Sequence, residues 1–381
     1  MKAKIALWCA LAVLPRCGMA AEDAPTFTAS EVRAILAHGP WPLPARADPS
    51  NRVSGKREAV ELGERLFFDE RLSSTGKFSC GTCHVPERNW TDNRTRGAAA
   101  AEVERNTPTL MNIRLGHWFG WDGASDSLWA QSIRPILDAR ELGASPRHVA
   151  ELMRNDEQLA CRYRKVFGAS PGSDDERVLV DVGKVLAAFE ETLESPSTPF
   201  DQFRNALERG ERVAPWRYSD AAQRGLRIFI GKGGCDACHS GPNFSDGEFH
   251  RNGFPSVRAD PGRSEGVKRL RESRFNLLGP YNDDPARSTA EGTRHAIMEP
   301  GDAGAFKVPT LRHMLLTAPY GHHGEMERIA DIVRHYSDVG GPGSLKPLRL
   351  TEREQTDLVV FLESLSTFGN PWRPDDKGRC E

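Results

Sequence analysis

Cys80-Gly81-Thr82-Cys83-His84 is a C-x-x-C-H motif, and Cys235-Asp236-Ala237-Cys238-His239 is a second. The spacing has a chemical reason. Two thiols about one turn apart can each form a thioether to a haem vinyl group, and the histidine that follows reaches the iron as its proximal ligand. A single motif is also compatible with a redox dithiol or half of a zinc site. Two copies in a chain that opens with an export signal point instead to two covalently bound c-type haems. Zinc fingers pair their C-x-x-C units at short range, and these two lie far apart.

The proximal histidine does not decide what a haem does; the sixth position does. A strong sixth ligand favours electron transfer, and an open polar pocket favours peroxide or oxygen chemistry. In the first half, the region after Gly123 offers no His or Met close by but does offer Gln131 and Glu141. A carboxylate over an open iron can take a proton from bound peroxide and return it to the leaving oxygen. The plainer reading of Glu141 is a solvated surface charge. His117 is the competing distal ligand. In the second half Tyr336 lies on the apolar side of a helical pattern. It reads either as a core aromatic or as a phenolate ligand of the second iron. His322, His323 and His335 are further candidates, although adjacent histidines in a loop carry little geometry.

These groups need helices to hold them. Thr28-x-x-Glu31 and Thr351-x-x-Glu354 are capping boxes, each opening a helix. A helix is predicted over 56–68 with Leu62, Leu66 and Phe67 as its stripe. Ser125 reads as the N-cap of a helix to about Leu137, bearing Leu128, Gln131 and Pro135 on one face. The strongest pattern covers 174–194, with Pro196 and Pro199 ending it near a domain boundary. Ser219 caps a helix leading into the second motif. Ile329, Ile332, Val333 and Tyr336 form another. Residues 242–305 are rich in Gly, Arg and Asp, with little periodicity, and read as a long loop excursion. No run of alternating strands stands out, so the class is mainly α.

The chain also repeats itself. Gly63-x-x-Leu66-Phe67 precedes the first motif and Gly225-x-x-Ile228-Phe229 the second. Pro108-Thr109-Leu110 follows the first and Pro309-Thr310-Leu311 the second. Thirteen residues beyond each Leu stands a glycine, Gly123 and Gly324. Two cytochrome-c-like haem domains related by internal duplication are expected, over 21–210 and 211–381, with the excursion inserted in the second.

The 381 residues carry 51 Lys+Arg against 53 Asp+Glu, which argues against a nucleic-acid partner. Residues 1–20 read as a secretory signal peptide. Lys2 and Lys4 precede an apolar stretch, Ile5 to Leu14, too short to span a bilayer, and Gly18-Met19-Ala20 offers a cleavage site. The mature protein is expected in the periplasm without stable membrane insertion. Cys9 and Cys17 leave with the signal. Cys161 and Cys380 form a disulfide or remain two free thiols.

At this point the residues resemble the bacterial dihaem cytochrome c peroxidases and their MauG-like relatives. Arg105-Asn106-Thr107-Pro108-Thr109-Leu110, Trp121-Asp122-Gly123, Gln131, Pro135 and Glu141 match the family's first haem pocket in order and spacing. Val308-Pro309-Thr310-Leu311-Arg312, Thr317-Ala318-Pro319-Tyr320 and His322 match its second domain. The resemblance covers roughly 55–370. It implies that Glu141 and Gln131 are the distal acid–base pair of a high-spin first haem, beside Pro135. It implies that Trp121 relays electrons between haems. Asn106, with the carbonyls of Thr317 and Pro319, would hold a calcium ion, which favours hard oxygen ligands.

Two departures select a branch. The cytochrome-fed peroxidases carry a His after the first haem that ligates the resting iron, and residues 85–116 here contain none. They also carry a Met at the position of Tyr336, whereas MauG-like members carry a Tyr there. An anionic oxygen ligand favours oxidised iron. His38-Gly39-Pro40-Trp41-Pro42 and Trp118-Phe119-Gly120-Trp121-Asp122-Gly123 look like MbnH-type proteins, which oxidise a Trp of a partner found with copper-related systems. The resemblance thus implies a periplasmic enzyme that uses hydrogen peroxide to form a high-valent dihaem state. That state would oxidise an aromatic residue of a partner protein by long-range electron transfer. The alternatives are a peroxidase fed by a small cytochrome or cupredoxin, and an electron-transfer protein without catalysis.

Overall fold

The computed structural model describes residues 27–211, 217–256, 258–342, 345–368 and, near the end, 372, 378 and 380. The predicted signal peptide lies outside the described residues. In chain order the helices are α1 (Ala29–Leu36), α2 (Arg57–Phe67), α3 (Cys80–Cys83), α4 (Leu128–Leu137), α5 (Pro146–Asn155), α6 (Glu157–Phe167) and α7 (Asp175–Glu190). They continue with α8 (Pro199–Glu208), α9 (Asp220–Ile230), α10 (Arg263–Glu272), α11 (Glu291–His295), α12 (Ile329–Asp338) and α13 (Glu352–Glu363). The described strands are β1 (Phe249–His250) and β2 (Phe306–Lys307), an antiparallel pair with Phe249 opposite Lys307. The protein is mainly α.

The duplication is physical. α2 crosses α7 in the first half, and α9 crosses α13 in the second. Each crossing runs over the glycine of the repeated motif. A Cβ on Gly63 would stand 1.9 Å from the Val185 carbonyl oxygen, and one on Gly225 2.0 Å from that of Asp357. Those distances are far inside van der Waals contact, so only glycine lets the backbones approach this closely. The second pair of repeated glycines turns the chain before α4 and α12. Gly123 and Gly324 have φ of 65° and 66°, a left-handed conformation that penalises any Cβ.

Two apolar clusters form the core. One gathers α2, α4, α5, α6 and α7 around Trp90, Trp129 and Phe189, all 0–1 % exposed. The other gathers α9, α12 and α13 around Phe229, Phe244 and Phe361. Ile35 of α1 and Phe200 and Phe203 of α8 pack in the second cluster, whereas Leu277 and Ala290 pack in the first. The two halves therefore exchange segments.

Three local expectations change. The N-cap of α4 is Ser127, whose hydroxyl accepts from the Ala130 amide; Ser125 instead pairs across the turn with Phe119. α7 ends at Glu190, and Pro199 opens α8 at its first position, where a missing N–H costs nothing. The 242–305 excursion contains α10, which buries Arg263, Gly266, Val267 and Leu270, an i, i+3, i+4, i+7 stripe. An Arg and a Gly at core positions hide that stripe from an apolar pattern. Arg263 lies between the Trp118 and Phe249 rings, at 4.5 and 4.0 Å, and donates to the Gly123 carbonyl at 2.9 Å. Cys161 and Cys380 are joined in a disulfide.

Candidate active site

The first motif is the single helical turn α3, capped by Ser79, whose backbone amide donates to Thr82 Oγ1 at 2.9 Å. His84 ends that turn. Its Nδ1 lies 2.9 Å from the Trp90 carbonyl oxygen. A carbonyl only accepts, so Nδ1 carries the proton and Nε2 is the nitrogen left for a metal, the usual way a ligating histidine is oriented. The second motif repeats this. His239 Nδ1 donates to the Phe244 carbonyl at 2.9 Å. Trp90 and Phe244 both adopt positive φ, 63° and 50°, which turns each carbonyl back on its histidine. Thr109 Oγ1 then donates to the Asn89 carbonyl and Thr310 Oγ1 to that of Asn243, both at 2.7 Å. The repeated Pro-Thr-Leu thus latches the residue before each carbonyl.

The motif residues fit covalent haem. Cys80, Cys83, Cys235 and Cys238 carry free thiols. Burial holds Cys83 at about 11 and Cys235 at about 12. Such thiols are the opposite of a reactive dithiol, which needs a lowered pKa. Burial also lowers His84 and His239, keeping each imidazole neutral as ligation requires.

Gln131 and Pro135 lie four residues apart on one side of α4, and Arg134 Nη1 holds Gln131 Oε1 at 3.1 Å. Glu141 follows in the turn after α4, its amide on the Asp138 carbonyl. Its carboxyl is raised by burial first and by the Asp138 charge second, and its own charge is felt at Cys80 and Cys83. It is half-buried beside the first motif, not a solvated charge. His117 is exposed and pairs with Glu248 at 3.0 Å, so it is not the distal group.

Tyr336 is half-buried on α12. Burial raises its hydroxyl strongly, and the Cys235 and Cys238 thiols contribute, which puts the phenol beside the second motif. The rival histidines are engaged elsewhere. His335 Nε2 lies 3.3 Å from the Asn252 carbonyl, His323 contacts Asp260 at 3.1 Å, and His322 stacks on Phe306 at 3.6 Å.

Trp121 sits on the seam between the halves. Its indole Nε1 donates to the Asn106 carbonyl at 2.8 Å, and its own carbonyl accepts from the Lys307 amide at 2.9 Å. Asn106 is tied to the other half through its amide, which donates to the His322 carbonyl at 2.9 Å. Asn106 Oδ1 and the carbonyl oxygens of Thr317 and Pro319 accept no hydrogen bond among the described residues. That is an oxygen set suited to a hard cation.

One group escaped the sequence reading, and another was noted there without a role. Glu190 is buried in α7, held near 8 by burial, and accepts from Ser132 on α4 at 3.1 Å. A Glu directly after the apolar Leu186–Phe189 run was its available signal. His38 is 2 % exposed and stacks flat on Phe244 at 4.4 Å, buttressing the carbonyl that orients His239. The sequence marked it only as part of the His38-Gly39-Pro40-Trp41-Pro42 run and gave it no role.

Residues 57–209 match the family model described as di-haem cytochrome c peroxidase. The methylamine utilization protein MauG of Methylorubrum extorquens is 36% identical over 315 residues, covering 81% of this chain and 78% of that one. The cytochrome-c peroxidase IdrP1 of Denitromonas iodatirespirans is 33% identical over 344 residues, 85% of each chain. A crystal structure of a MauG-like protein associated with microbial copper homeostasis superposes with a TM-score of 0.64 at 25% identity, over 88% of this chain and 100% of that one. Fold, paired motifs and relatives agree: the chain belongs to the dihaem cytochrome c peroxidase/MauG family. It is a haem-dependent oxidoreductase with two c-type haems, His84 and His239 being the histidines of its two attachment motifs. Among the described residues no helix is long and apolar enough to cross a membrane.

Proposed function

We propose that this protein is an exported, periplasmic enzyme of the MauG-like branch, which uses hydrogen peroxide to oxidise an aromatic residue, a Trp, of a partner protein. One observation carries the reading. Tyr336, not Met, stands beside Cys235 and Cys238, and an oxygen ligand favours oxidised iron. When bound, the haems supply the peroxide chemistry and store its oxidising equivalents. The chain's own residues do the rest. Glu141 moves a proton between the two peroxide oxygens, and Gln131, fixed by Arg134, orients them beside Pro135. Trp121 couples the halves, and Asn106, Thr317 and Pro319 hold a calcium ion that keeps it in place. The haem-bearing units are taken as 21–210 and 211–381, with α1 and α8 lent to the second core.

The test is a peroxide titration of the as-isolated dihaem protein, followed by optical and Mössbauer spectroscopy, then addition of a candidate partner whose mass is monitored. A persistent oxidised state and a mass gain on the partner are expected. Rapid peroxide-dependent turnover of a reduced small cytochrome or cupredoxin, with no persistent oxidised state, would sink the proposal. It would establish the second reading, to which the 33% identical cytochrome-c peroxidase gives support. In Tyr336→His, haem attachment should survive while the persistent state is lost. An unchanged spectrum would remove Tyr336 from the site.

A further inference from the structure

His322, His323 and Glu325 form a cluster that the haem chemistry leaves unused. Their side chains are 5, 11 and 7 % exposed. His322 Nδ1 and Glu325 Oε1 are both fully buried, and neither has a hydrogen-bond partner. They face each other at 3.4 Å, and His323 Nδ1 lies 3.8 Å from the same carboxylate oxygen. All three donor atoms fall within 4.8 Å of one another. Buried polar atoms without partners are rare in folded proteins and call for an occupant.

We propose that His322 Nδ1, His323 Nδ1 and Glu325 Oε1 bind a borderline first-row dication of the zinc or copper class. Two imidazoles and one carboxylate are the donor set such ions prefer, whereas calcium prefers oxygen alone. With metal–ligand bonds of about 2.0–2.2 Å, tetrahedral ligands stand roughly 3.4 Å apart, which the His322–Glu325 distance already meets. The surroundings are those of a ligating histidine. Asp260 accepts from His323 Nε2 at 3.1 Å, which leaves the Nδ1 lone pair facing Glu325. Arg105 clamps Asp260 through both oxygens, at 2.9 and 2.8 Å, and keeps it ionised. Glu325 is fixed by the His323 amide on Oε2 at 3.2 Å, so its other oxygen points into the cluster. Ser256 Oγ, 2.9 Å from His323 Nδ1, closes the remaining side and must turn toward the Arg258 carbonyl, which it already touches at 2.7 Å.

None of the three donors is a residue assigned to the calcium or to haem attachment. The other cluster of comparable donors among the described residues, Cys238, Asp246 and His250, spends its sulfur on haem attachment. A dication here would pin the turn at Gly324 against the seam, because Arg105 also holds Asp122, next to Trp121, at 2.7 Å.

The probe is Zn2+, which has no redox chemistry to confuse with the haems. The dihaem protein is stripped with chelator, saturated with calcium to fill the oxygen site, and titrated with Zn2+ by calorimetry. Bound metal is counted by elemental analysis, and a zinc-loaded crystal is measured across the zinc absorption edge. One Zn2+ per chain is expected, with the anomalous peak among the three side chains. Glu325→Gln and His323→Ala should each weaken binding at least a hundredfold, and Asp260→Asn ten- to a hundredfold, as for other outer-shell partners. Unchanged Soret spectra and haem content show that each variant is folded; Asp260→Asn, which keeps every ligand, carries the test if either ligand variant fails to fold. No saturable binding, equal affinity in all variants, or a peak elsewhere would overturn the proposal and leave an acid–imidazole contact only.

Discussion

In the role proposed for it, Glu141 is tuned by influences of opposite sign. Burial and the Asp138 charge push its carboxyl above the usual range, while Arg134 and Arg140 pull it back. A base must be ionised to accept the peroxide proton. The rate should therefore rise with pH through the raised Glu141 value and level off above it. Asp138→Asn removes the like charge and frees Arg140, so that limb should move toward acid; stopped-flow peroxide kinetics across pH measure the shift. Glu141→Gln keeps the shape and loses the base. A slowing of about 10²–10⁴-fold is expected, the span of general acid–base assistance. Unaltered kinetics in Glu141→Gln would make the residue a bystander.

At the scale of elements, the repeated glycines carry the duplication. Gly225→Ala would drive a methyl to 2.0 Å from the Asp357 carbonyl oxygen, and backbone cannot yield as a side chain can. The α9–α13 crossing must open. A loss of at least about 1–3 kcal/mol is expected, the usual cost of overpacking. Gly172→Ala, with nothing within 4 Å, is the control and should be nearly neutral. Denaturant unfolding of both variants compares them. These glycines were legible in the sequence because duplication printed them twice, as it did Thr109 and Thr310. Both capping boxes were legible because their hydrogen bonds are local. α10 was not, because its buried face contains Arg263, which is satisfied by the distant Asp122 and Gly123 carbonyls and two rings. The Trp90 and Phe244 carbonyls were equally invisible, since any residue type supplies one. The position of Tyr336 on α12 was readable from its helical period, but its nearness to Cys235 is a property of the packed half.

The whole molecule is closed by the Cys161–Cys380 disulfide, which spans 219 residues and ties the chain end to α6. Sequence alone left pairing and free thiols open, because nothing local brings the two cysteines together. The tail it secures carries Trp372, whose ring lies 5.3 Å from Trp90 and 5.1 Å from Phe68, beside the carbonyl that orients His84. The bond should act on both stability and the first haem. In the chain-entropy account, so long a loop contributes about 5 kcal/mol, an upper figure where the unfolded chain keeps structure. Haem links at Cys80 and Cys235 add constraints of their own, so a smaller loss, about 2–4 kcal/mol, is expected on Cys161→Ser/Cys380→Ser. Thermal unfolding with and without a thiol reductant separates the causes. The reductant should lower the melting temperature of the parent protein to that of the double variant and leave the variant unmoved. If Trp372 needs the bond to stay against Trp90, the variant should also show a small change in the first haem's spectrum while the second is unaffected. Equal melting temperatures in all four samples would mean that the tail is held by packing alone.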